Sequence, residues 1–446
     1  MMFRNDSSLR DSMLEAKSRR MGPVLASFIV AGNIIGPGIF ALPATIGAIG
    51  SVSLIGWIIA AIGAFAIGAV VSILANLTGD PDGLVGYVKT TLGPFWAFFV
   101  GVMYWFSNFV GNIGVAVACA GYLSVYLPAL NDPLARSLSG LAALWLTTGV
   151  NLIGAKTVGR FSGVFLIAGL APLLLLVTVG WAYFNPHLFV ESWNVAGKSD
   201  LHGVQASVLA AFWAFTGMET GAMISAVMRN PKRDVPIAVL GGVAFAAIVY
   251  LSVLVVVLGL APAKAYATSS APLALAVMRI GGAGWANLIA AFALIKILGT
   301  MSGITLANAE VARATIESRP FAQARDPKDR ARTPTRILLW SAAGASLVTL
   351  VTTSPTFGKQ FEALVDLSAI WTLIPYLFCA VALALIARGY RGRVRWIQSA
   401  VVLVASVITG GVLLTATELS FALTAALVAA IFSYQFLAAR RWLKSA

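Results

Sequence analysis

The sequence GNIIGPG, residues 32–38, lies near the middle of the first long apolar run of this chain. Proline removes a backbone amide donor and clashes with the preceding helical turn, and glycine weakens a helix interior. A second interruption, TGME at residues 216–219, lies near the middle of the sixth apolar run. We therefore expect both runs to form helices that are broken in the middle.

The composition assigns these runs to a membrane. Of the 446 residues, 59% are hydrophobic and only 11% are charged, whereas roughly a quarter of the residues in a soluble domain are charged. Apolar runs of about 20 residues, the length of a spanning helix, recur along the whole chain and leave no second, water-soluble domain. We predict an all-α polytopic membrane protein with about twelve transmembrane helices, over residues 21–48, 52–77, 95–128, 134–154, 159–185, 203–229, 235–262, 275–309, 335–353, 361–387, 395–415 and 419–441.

The position of the two interruptions indicates a central cavity. Backbone groups freed inside hydrocarbon must be satisfied by protein or by a water-filled space. The first and sixth runs are also corresponding members of two five-helix halves, which have opposite orientations because five is odd. This pattern is typical of inverted-repeat transporters whose site lies between two broken helices. The alternative is that Gly36 and Gly38 only permit close helix packing.

The distribution of lysine and arginine predicts that both termini are cytoplasmic, because cytoplasmic connections carry an excess of these residues. The basic connections are Arg19–Arg20, Lys89, Lys156–Arg160, Arg229–Arg233, Arg313–Arg336, Arg388–Arg395 and Arg440–Lys444. The Arg319–Arg336 stretch is interpreted as a charged linker near anionic lipid. Residues 1–20 would form a cytoplasmic tail, residues 21–387 a ten-helix inverted-repeat core, and residues 388–446 two additional helices with a short cytoplasmic C-terminus.

The sequence lacks the patterns of several other functions. Its formal charge of +14 comes from residues in short loops, so the expected partner is the lipid bilayer and not nucleic acid. Cys119 and Cys379 lie in apolar runs, far in sequence from His187 and His202, which favours neither a disulfide framework nor a metal site. The sequence brings together neither a nucleophile with a histidine nor a phosphate-binding glycine loop, so it does not indicate an enzyme. We expect no catalytic residues, no metal and no cofactor.

Short motifs follow one another in a specific order along these runs. They are the stretch from Gly32 to Pro43, Tyr104-Trp105, Gly111-Asn112-Ile113, Asn131-Asp132-Pro133, Trp213-Ala214-Phe215, Gly217-Met218-Glu219, Asn230–Ala238 and Ile374-Pro375-Tyr376. Their order and spacing resemble the basic amino acid and polyamine antiporters of the amino acid, polyamine and organocation superfamily, such as bacterial arginine/agmatine, lysine/cadaverine and ornithine/putrescine exchangers. The resemblance spans nearly all of the chain. It implies a five-plus-five inverted repeat with two additional helices in a bacterial inner membrane, and one central site that opens alternately to each side.

The resemblance also implies which residues bind the substrate. Backbone groups around the first break would take its polar end, because free amides at a half-helix N-terminus favour a carboxylate and free carbonyls favour an ammonium. Trp213 would close over the substrate from outside and could hold a cation against its ring; a packing role is the alternative. The implied substrate-binding set is Asn33, Ile34, Gly36, Gly38, Asn108, Asn112, Trp213, Thr216, Ile304 and Ser368.

Glu219, Tyr104 and Tyr376 match the inner gate of the family, with Trp213 as the outer gate. A carboxylate and two phenols can hydrogen-bond across the pathway and part when it opens inward. An ionisable residue at this depth costs roughly 2.5 to 3.5 kcal/mol to insert, which favours a functional Glu219 that also serves in proton coupling. The alternative is a structural Glu219 that neighbouring hydroxyls satisfy.

Four positions depart from the family pattern. Pro37 replaces a serine of the arginine exchangers and offers neither a hydroxyl nor an amide, which should weaken carboxylate binding. Ile304 replaces a tryptophan that stacks on a guanidinium, so arginine is a poor candidate substrate. Phe109 replaces a second pocket tryptophan, and Asn108 adds an amide one turn before Asn112 on the same face. The loss of the serine at position 37 favours amines and polyamines as substrates.

Lys296 in the eighth run and Asp366 in the tenth have no counterpart in the family pattern and are candidates for proton or charge coupling. One hypothesis pairs them, since pairing lowers the cost of a buried charge. A second leaves Lys296 alone as a fixed or proton-switched cation in place of a coupling ion. A third has Lys296 reaching an interface along its stem while Asp366 lines an outer vestibule.

The predicted function is a secondary transporter that exchanges amino acids against their decarboxylated amines, or polyamines, by alternating access. A proton-coupled or uncoupled amino acid permease is a second hypothesis, and a substrate-binding sensor without flux is a third. The substrate would be a small molecule that carries an amino group, and a homodimer is the oligomeric state to test.

Overall fold

The computed structural model describes residues 21–80, 82–153, 165, 169–224, 228–319, 335–353 and 357–445. Within these ranges the chain is almost entirely helical and contains no β-strand. The predicted tail of residues 1–20, most of the Arg319–Arg336 loop and part of the fifth run lie outside the described residues. The helices are α1 Pro23–Ile34, α2 Gly38–Ile49, α3 Ser53–Thr78, α4 Gly83–Leu92, α5 Pro94–Leu123, α6 Pro133–Ile153, α7 Gly169–Tyr183, α8 Pro186–Glu191, α9 Asp200–Ala214, α10 Thr220–Met223, α11 Pro231–Leu260, α12 Ala263–Ala267, α13 Pro272–Glu317, α14 Thr335–Val351, α15 Phe357–Ala387, α16 Gly392–Leu413 and α17 Glu418–Ser445.

The described helices account for every predicted span. By length and composition, 7 helices can cross a membrane, and the bent pair of α1 and α2 makes an eighth span. These eight correspond to the first, second, third, seventh, eighth, tenth, eleventh and twelfth runs. The remaining runs hold α6, α7, the pair of α9 and α10, and α14. The prediction of an all-α polytopic membrane protein is confirmed.

The first run is broken as predicted. α1 ends at Ile34 and α2 begins at Gly38, with a bend of 50° between them. Ile35 has ψ 73°, outside the helical region, and the amide of Gly36 turns back to the carbonyl of Ile34 at 2.6 Å. Because Pro37 has no amide hydrogen, the helical hydrogen-bond ladder cannot pass through it.

The sixth run is broken as well. α9 ends at Ala214 and α10 begins at Thr220, and Gly217 between them has φ +98°, a left-handed conformation that favours glycine. An added Cβ at Gly217 would lie 3.3 Å from the carbonyl oxygen of Asn33, so glycine also lets the two breaks approach each other. Both predicted breaks are therefore confirmed, and they are in contact.

The helix packing follows the arrangement in two halves. α1 of the first run packs against α11 of the seventh, and α9 of the sixth packs against α3 of the second. If each run is exchanged for its counterpart in the other half, five places away, the first run becomes the sixth and the seventh becomes the second. The contact between the first and seventh runs then becomes the contact between the sixth and second runs. α3 also packs against α11, and α5 against α13, and each of these pairs maps onto itself under the same replacement. This is the packing expected of an inverted repeat.

Two local features were not predicted. Helix α13 is kinked at Gly281 and Gly282, where Gly282 has φ +72°. The short helix α4, which buries Tyr87, lies where the sequence analysis has only a connection. The kink precedes the part of α13 that carries Lys296 and Ile304, so it helps to set the direction in which these side chains approach the breaks.

Helices α16 and α17 expose large apolar side chains. Leu403 and Val407 on α16, and Phe421 on α17, are each more than half exposed, at 63%, 63% and 69%. A contiguous apolar surface of this kind is unfavourable in water, whereas hydrocarbon chains match it. The two C-terminal helices therefore present a lipid-facing surface.

Candidate functional site

A cavity of about 220 Å³ lies between the two helix breaks. Side chains of α5, α13 and α15 complete its wall. A cavity at this position allows water or a solute to form hydrogen bonds with the backbone groups that the breaks leave unpaired. The predicted residues found in its wall are Asn33, Ile34, Gly36, Gly38, Tyr104, Asn108, Trp213, Thr216, Glu219, Lys296, Ile304 and Ser368.

Side chains hold the two breaks together. The hydroxyl of Tyr250 lies 2.6 Å from the carbonyl oxygen of Ile34 and 2.9 Å from that of Ala214, the last residues of α1 and α9. The side-chain amide of Asn33 donates from Nδ2 to Thr220 Oγ1 at 3.2 Å. The single hydroxyl proton of this buried phenol can donate to either carbonyl, so Tyr250 bridges the two broken helices.

The first break offers two kinds of backbone group. α1 ends in carbonyls with partial negative charge, and α2 begins with amides of partial positive charge. The amide of Gly36 is already used by Ile34, and Pro37 has none, so the amides available to an anionic group begin at Gly38. The carbonyl end suits an ammonium, and the amide end suits a carboxylate but has one donor fewer than a chain without proline would have.

Trp213 covers one side of the cavity. Its indole Nε1 donates to Ser368 Oγ at 3.1 Å, and its ring packs edge-on against Phe361 with 5.8 Å between the centroids. An added Cβ at Gly38 would come within 3.0 Å of Trp213 Cζ3, so the ring also lies directly against α2. Trp213 therefore packs tightly and forms part of the cavity wall at the same time.

The three predicted gate residues Glu219, Tyr104 and Tyr376 are in contact. The Tyr376 hydroxyl donates to Glu219 Oε2 at 2.8 Å, and the Tyr104 hydroxyl donates to Oε1. The backbone amide of Gly217 donates to Oε2 at 3.2 Å. All three side chains are buried. The carboxyl thus joins α5, α15 and the sixth-run break at the opposite side of the break from Trp213.

Three polar residues of the site, Ser107, Thr372 and Tyr250, were not predicted from the sequence, whereas Ser368 was. Ser368 Oγ donates to the backbone carbonyl of Ser107 at 2.9 Å, and Ser107 Oγ lies 2.8 Å from the carbonyl of Ser368. Thr372 Oγ1 is hydrogen-bonded to Ser107 Oγ. These bonds fix α5 against α15 beside Trp213. The sequence signal that could have indicated Thr372 is its spacing from Ser368, four residues away on the same helix face. The signal for Tyr250 is a polar ring within the apolar seventh run.

Lys296 lines the cavity and does not pair with Asp366. Its Nζ donates to the carbonyl oxygen of Gly32 at 2.8 Å, and only 5% of the residue is exposed. Its stem packs against Gly169, where an added Cβ would come within 2.6 Å of Lys296 Cγ. The ion-pair hypothesis is therefore wrong, and so is the hypothesis that Lys296 reaches an interface. The end of α1 presents partial negative charge directly to the ammonium.

Asp366 lies outside the cavity wall. It is half-buried on α15, one turn after Glu362. In the part of the chain that the structure describes, no basic side chain lies within the 4.0 Å that defines an ion pair with it. Its role in charge coupling stays a prediction, now without Lys296 as its partner.

The two candidate asparagines of α5 occupy different places. Asn112 donates to Thr305 Oγ1 at 3.0 Å and lines a separate pocket of about 20 Å³ together with Asn308. Asn108, one turn earlier, lines the main cavity, and its side-chain amide lies beside the Tyr104 hydroxyl. Contact of Asn112 with the distal end of a substrate stays a prediction, whereas Asn108 is in position to donate to one.

Sequence comparison finds related proteins over most of the chain. The family model for amino acid permeases matches residues 22–439. The cadaverine/lysine antiporter of Escherichia coli (strain K12) is 30% identical over 373 residues, which covers 82% of this chain and 84% of that protein. The putrescine transporter PotE of the same strain is 29% identical over 376 residues, covering 84% and 86%. The putrescine transporter PotE of Haemophilus influenzae is 28% identical over 376 residues with the same coverage, 84% and 86%.

Proposed function

Since the chain belongs to the amino acid permease family, we propose that it exchanges amino acids, their decarboxylated amines or polyamines across the membrane by alternating access. Its family and its relatives make it an amino acid or polyamine transporter and not an enzyme. The observation that carries the mechanism is a cavity between two broken helices, with Trp213 on one side and the Glu219 contacts on the other.

The amino group is the part that all carried solutes would share. The last turns of α1 and α9 concentrate partial negative charge beside the cavity, at carbonyls other than that of Gly32, which accepts from Lys296. The face of Trp213 adds a surface that attracts cations. An ammonium group held between them would be bound in the same way in an amino acid and in the corresponding amine. The Asn108 side-chain amide, which lines the cavity, would contact a second polar end.

Pro37 fits an exchange of amino acids against amines. A full set of amides at the start of α2 would favour a carboxylate and so would bind the amino acid much more tightly than the amine. Pro37 removes one donor from this set. The affinities of the two solutes become more alike, which an exchanger needs in order to release either of them.

Alternating access would depend on two contacts that are both formed in this structure. One is the bond between Trp213 and Ser368, and the other is the bond between Tyr376 and Glu219, at 3.1 Å and 2.8 Å. Each is a hydrogen bond of about 1 kcal/mol net, so either can open at modest cost. Trp213 would admit solute from outside, and Glu219 with its two tyrosines would release it inside.

The charges of the wall support a cavity with no net charge. Among the described residues of the wall, the acidic and basic side chains are Glu219 and Lys296, and each is held by specific hydrogen bonds. With both ionised, the wall contributes zero net charge, so it does not by itself exclude zwitterions or cations. Lys296 then acts as a fixed cation at the end of α1, in the place that a coupling ion would take.

The helices and the bacterial relatives support a multi-pass protein of a bacterial inner membrane. We propose that both termini are cytoplasmic, with residues 1–20 as a tail. Residues 21–387 would form the transport core, and residues 388–446 the additional pair of helices, whose exposed apolar face leaves room for a homodimer.

Counterflow in proteoliposomes tests the proposed exchange. Vesicles containing the purified protein are loaded with lysine, cadaverine, ornithine or putrescine, and uptake of each radiolabelled solute is measured with and without internal solute. Uptake that requires internal solute is the expected result. Empty vesicles that accumulate solute equally well under a pH gradient would instead establish a proton-coupled permease. Binding detected by thermal shift without any flux would establish a sensor.

A further inference from the structure

A second concave site lies at the surface between α5, α13 and α17. It is a groove of about 280 Å³ that shares no residue with the central cavity. Its lining is mostly apolar, and two of its rings, Phe98 and Tyr434, are stacked with centroids 5.6 Å apart and planes 22° apart. The lining residues are Phe98, Val102, Trp105, Ala312, Thr315, Ile316, Arg319 and Tyr434.

Arg319 lies at one end of this groove. It follows the last turn of α13 and is exposed, and its Nη1 lies 3.5 Å from the Tyr434 hydroxyl. Among the described residues no acidic side chain lies within the 4.0 Å that defines an ion pair with Arg319. A guanidinium in this setting is available to an external anion.

Arg313 on the same helix shows the contrast. Its guanidinium contacts Asp82 at 3.2 Å, Glu310 at 2.8 Å and Glu317 at 3.2 Å. Three carboxylates therefore surround Arg313 at this end of α13, whereas the next arginine, Arg319, lies at the mouth of an apolar groove. The difference lies in the surroundings of the two side chains and not in the helix that carries them.

We propose that this groove binds an anionic phospholipid, with an acyl chain against the apolar wall and the phosphate against Arg319. The groove opens beside Tyr434, which is 46% exposed on the lipid-facing helix α17. A guanidinium binds phosphate through paired, charge-assisted hydrogen bonds. A zwitterionic lipid brings its own ammonium and gains less. Basic pockets between transmembrane helices are known to select anionic head groups, and the chain carries a net charge of +14.

A lipid bound in the groove would contact two helices that also form the central cavity. α5 and α13 form two of its walls, and they pack closely at its base, where an added Cβ at Gly101 would lie 2.2 Å from Thr315 Oγ1. The same two helices carry Tyr104 and Lys296 of the central cavity. A bound lipid would stabilise the contact between these helices. The proposal depends on the fold and not on the exchange mechanism.

The test uses the full chain purified in detergent and titrated with dioleoyl phosphatidylglycerol, dioleoyl phosphatidylcholine or inorganic phosphate. Thermal unfolding reports stabilisation, and native mass spectrometry counts the bound lipids. Phosphatidylglycerol should stabilise the wild-type protein at lower concentration than phosphatidylcholine does. Arg319→Gln should raise the apparent dissociation constant for phosphatidylglycerol about tenfold, because one charge-assisted contact is lost.

Arg395→Gln is the matched control, since it removes the same charge from an exposed position on α16 outside the groove. It should leave phosphatidylglycerol binding unchanged. Val102→Phe fills the groove without a change of charge and should weaken phosphatidylglycerol binding as well. If this half-buried substitution prevents folding, the comparison of the two arginine variants decides alone, because both positions are exposed.

Several results would overturn the proposal. These are equal stabilisation by the two lipids, equal effects of the two arginine variants, and a phosphate effect as large as that of phosphatidylglycerol. A change from dimer to monomer in Val102→Phe would show that a second copy of the chain occupies the groove.

Discussion

The ammonium nitrogen of Lys296 lies 2.8 Å from the carbonyl oxygen of Gly32, in the last turn of α1. In a continuous helix this carbonyl would accept from the amide of Gly36, four residues later. The break redirects that amide to Ile34 at 2.6 Å. Lys296 therefore supplies the donor that the broken helix has lost, and it adds a positive charge to a helix end of partial negative charge.

Lys296→Met should destabilise the protein and reduce transport. The substitution keeps most of the stem against Gly169 but leaves the Gly32 carbonyl without its donor, at a cost of about 1–3 kcal/mol. We expect a lower unfolding temperature and at least about a tenfold loss of uptake, equivalent to 1.4 kcal/mol. Among solutes that are still carried, the balance should move towards those with more positive charge.

Lys264→Met is the matched control for Lys296→Met. Lys264 is exposed on the short helix α12, outside the cavity wall. Uptake and unfolding temperature should stay at their wild-type values in this control. Normal transport by Lys296→Met would show that the bond to Gly32 has no role in the cycle.

Tyr376→Phe should weaken the closure at Glu219. The change removes the 2.8 Å bond to Oε2 and keeps the ring. A loss of about 1 kcal/mol corresponds to roughly fivefold more of the open form. The readout is Cys379, a buried free thiol one turn further along α15, in a Cys119→Ala background. Its rate of maleimide labelling should rise about fivefold, as the population of the open form does.

Tyr390→Phe serves as the control for the labelling experiment. This tyrosine is 36% exposed beyond the end of α15 and contributes nothing to the Glu219 contacts. Labelling of Cys379 should match the background protein. An unchanged rate in Tyr376→Phe would show that the pathway does not open at this contact.

The two breaks could be predicted because their cause is local. Pro37 lacks an amide wherever it is placed, and Gly217 tolerates a positive φ without help from its neighbours. The partner of Lys296 could not be predicted in this way. Gly32 is 264 residues away in sequence, and the choice between its carbonyl and the Asp366 carboxylate depends on how α13 is rotated against α1.

The site residues show the same limit. Asn108 and Asn112 share a face of α5, and the sequence analysis placed both at the substrate. In the structure Asn108 lines the cavity together with Gly111 and Val115 of the same helix, whereas Asn112 is bonded to Thr305 at 3.0 Å and lines a separate pocket. Which side chains of a helix face a cavity depends on the packing of several helices, which no single run records. The contacts of Glu219 with two tyrosines, predicted to form a gate, were indicated only by the resemblance to a family.

Gly38→Ala should interfere with the position of Trp213. The added Cβ would come within 3.0 Å of Trp213 Cζ3 and 3.2 Å of Leu42 Cδ1, tighter than side chains normally pack. We expect weaker substrate binding by about tenfold, or 1.4 kcal/mol, measured by thermal-shift titration. Gly149→Ala, where a Cβ meets nothing within 4 Å, controls for the change of glycine to alanine in a helix. Wild-type affinity in Gly38→Ala would show that the ring is free to move away.

Ile304→Trp should move the substrate preference towards arginine. Ile304 lines the cavity wall on α13, where the exchangers that this chain resembles have a tryptophan. An indole at this place could stack on a guanidinium, worth about 0.5–2 kcal/mol, whereas it gains less with a small primary ammonium. The larger side chain also takes up part of the 220 Å³ cavity, so absolute affinities for all solutes should fall. The measured quantity is therefore the ratio of arginine to cadaverine binding, which should rise about fivefold. Ile304→Leu keeps the volume without the aromatic face and should leave the ratio unchanged. A ratio that stays constant in both variants would mean that the distal end of the solute does not reach α13, and that recognition is confined to the helix breaks.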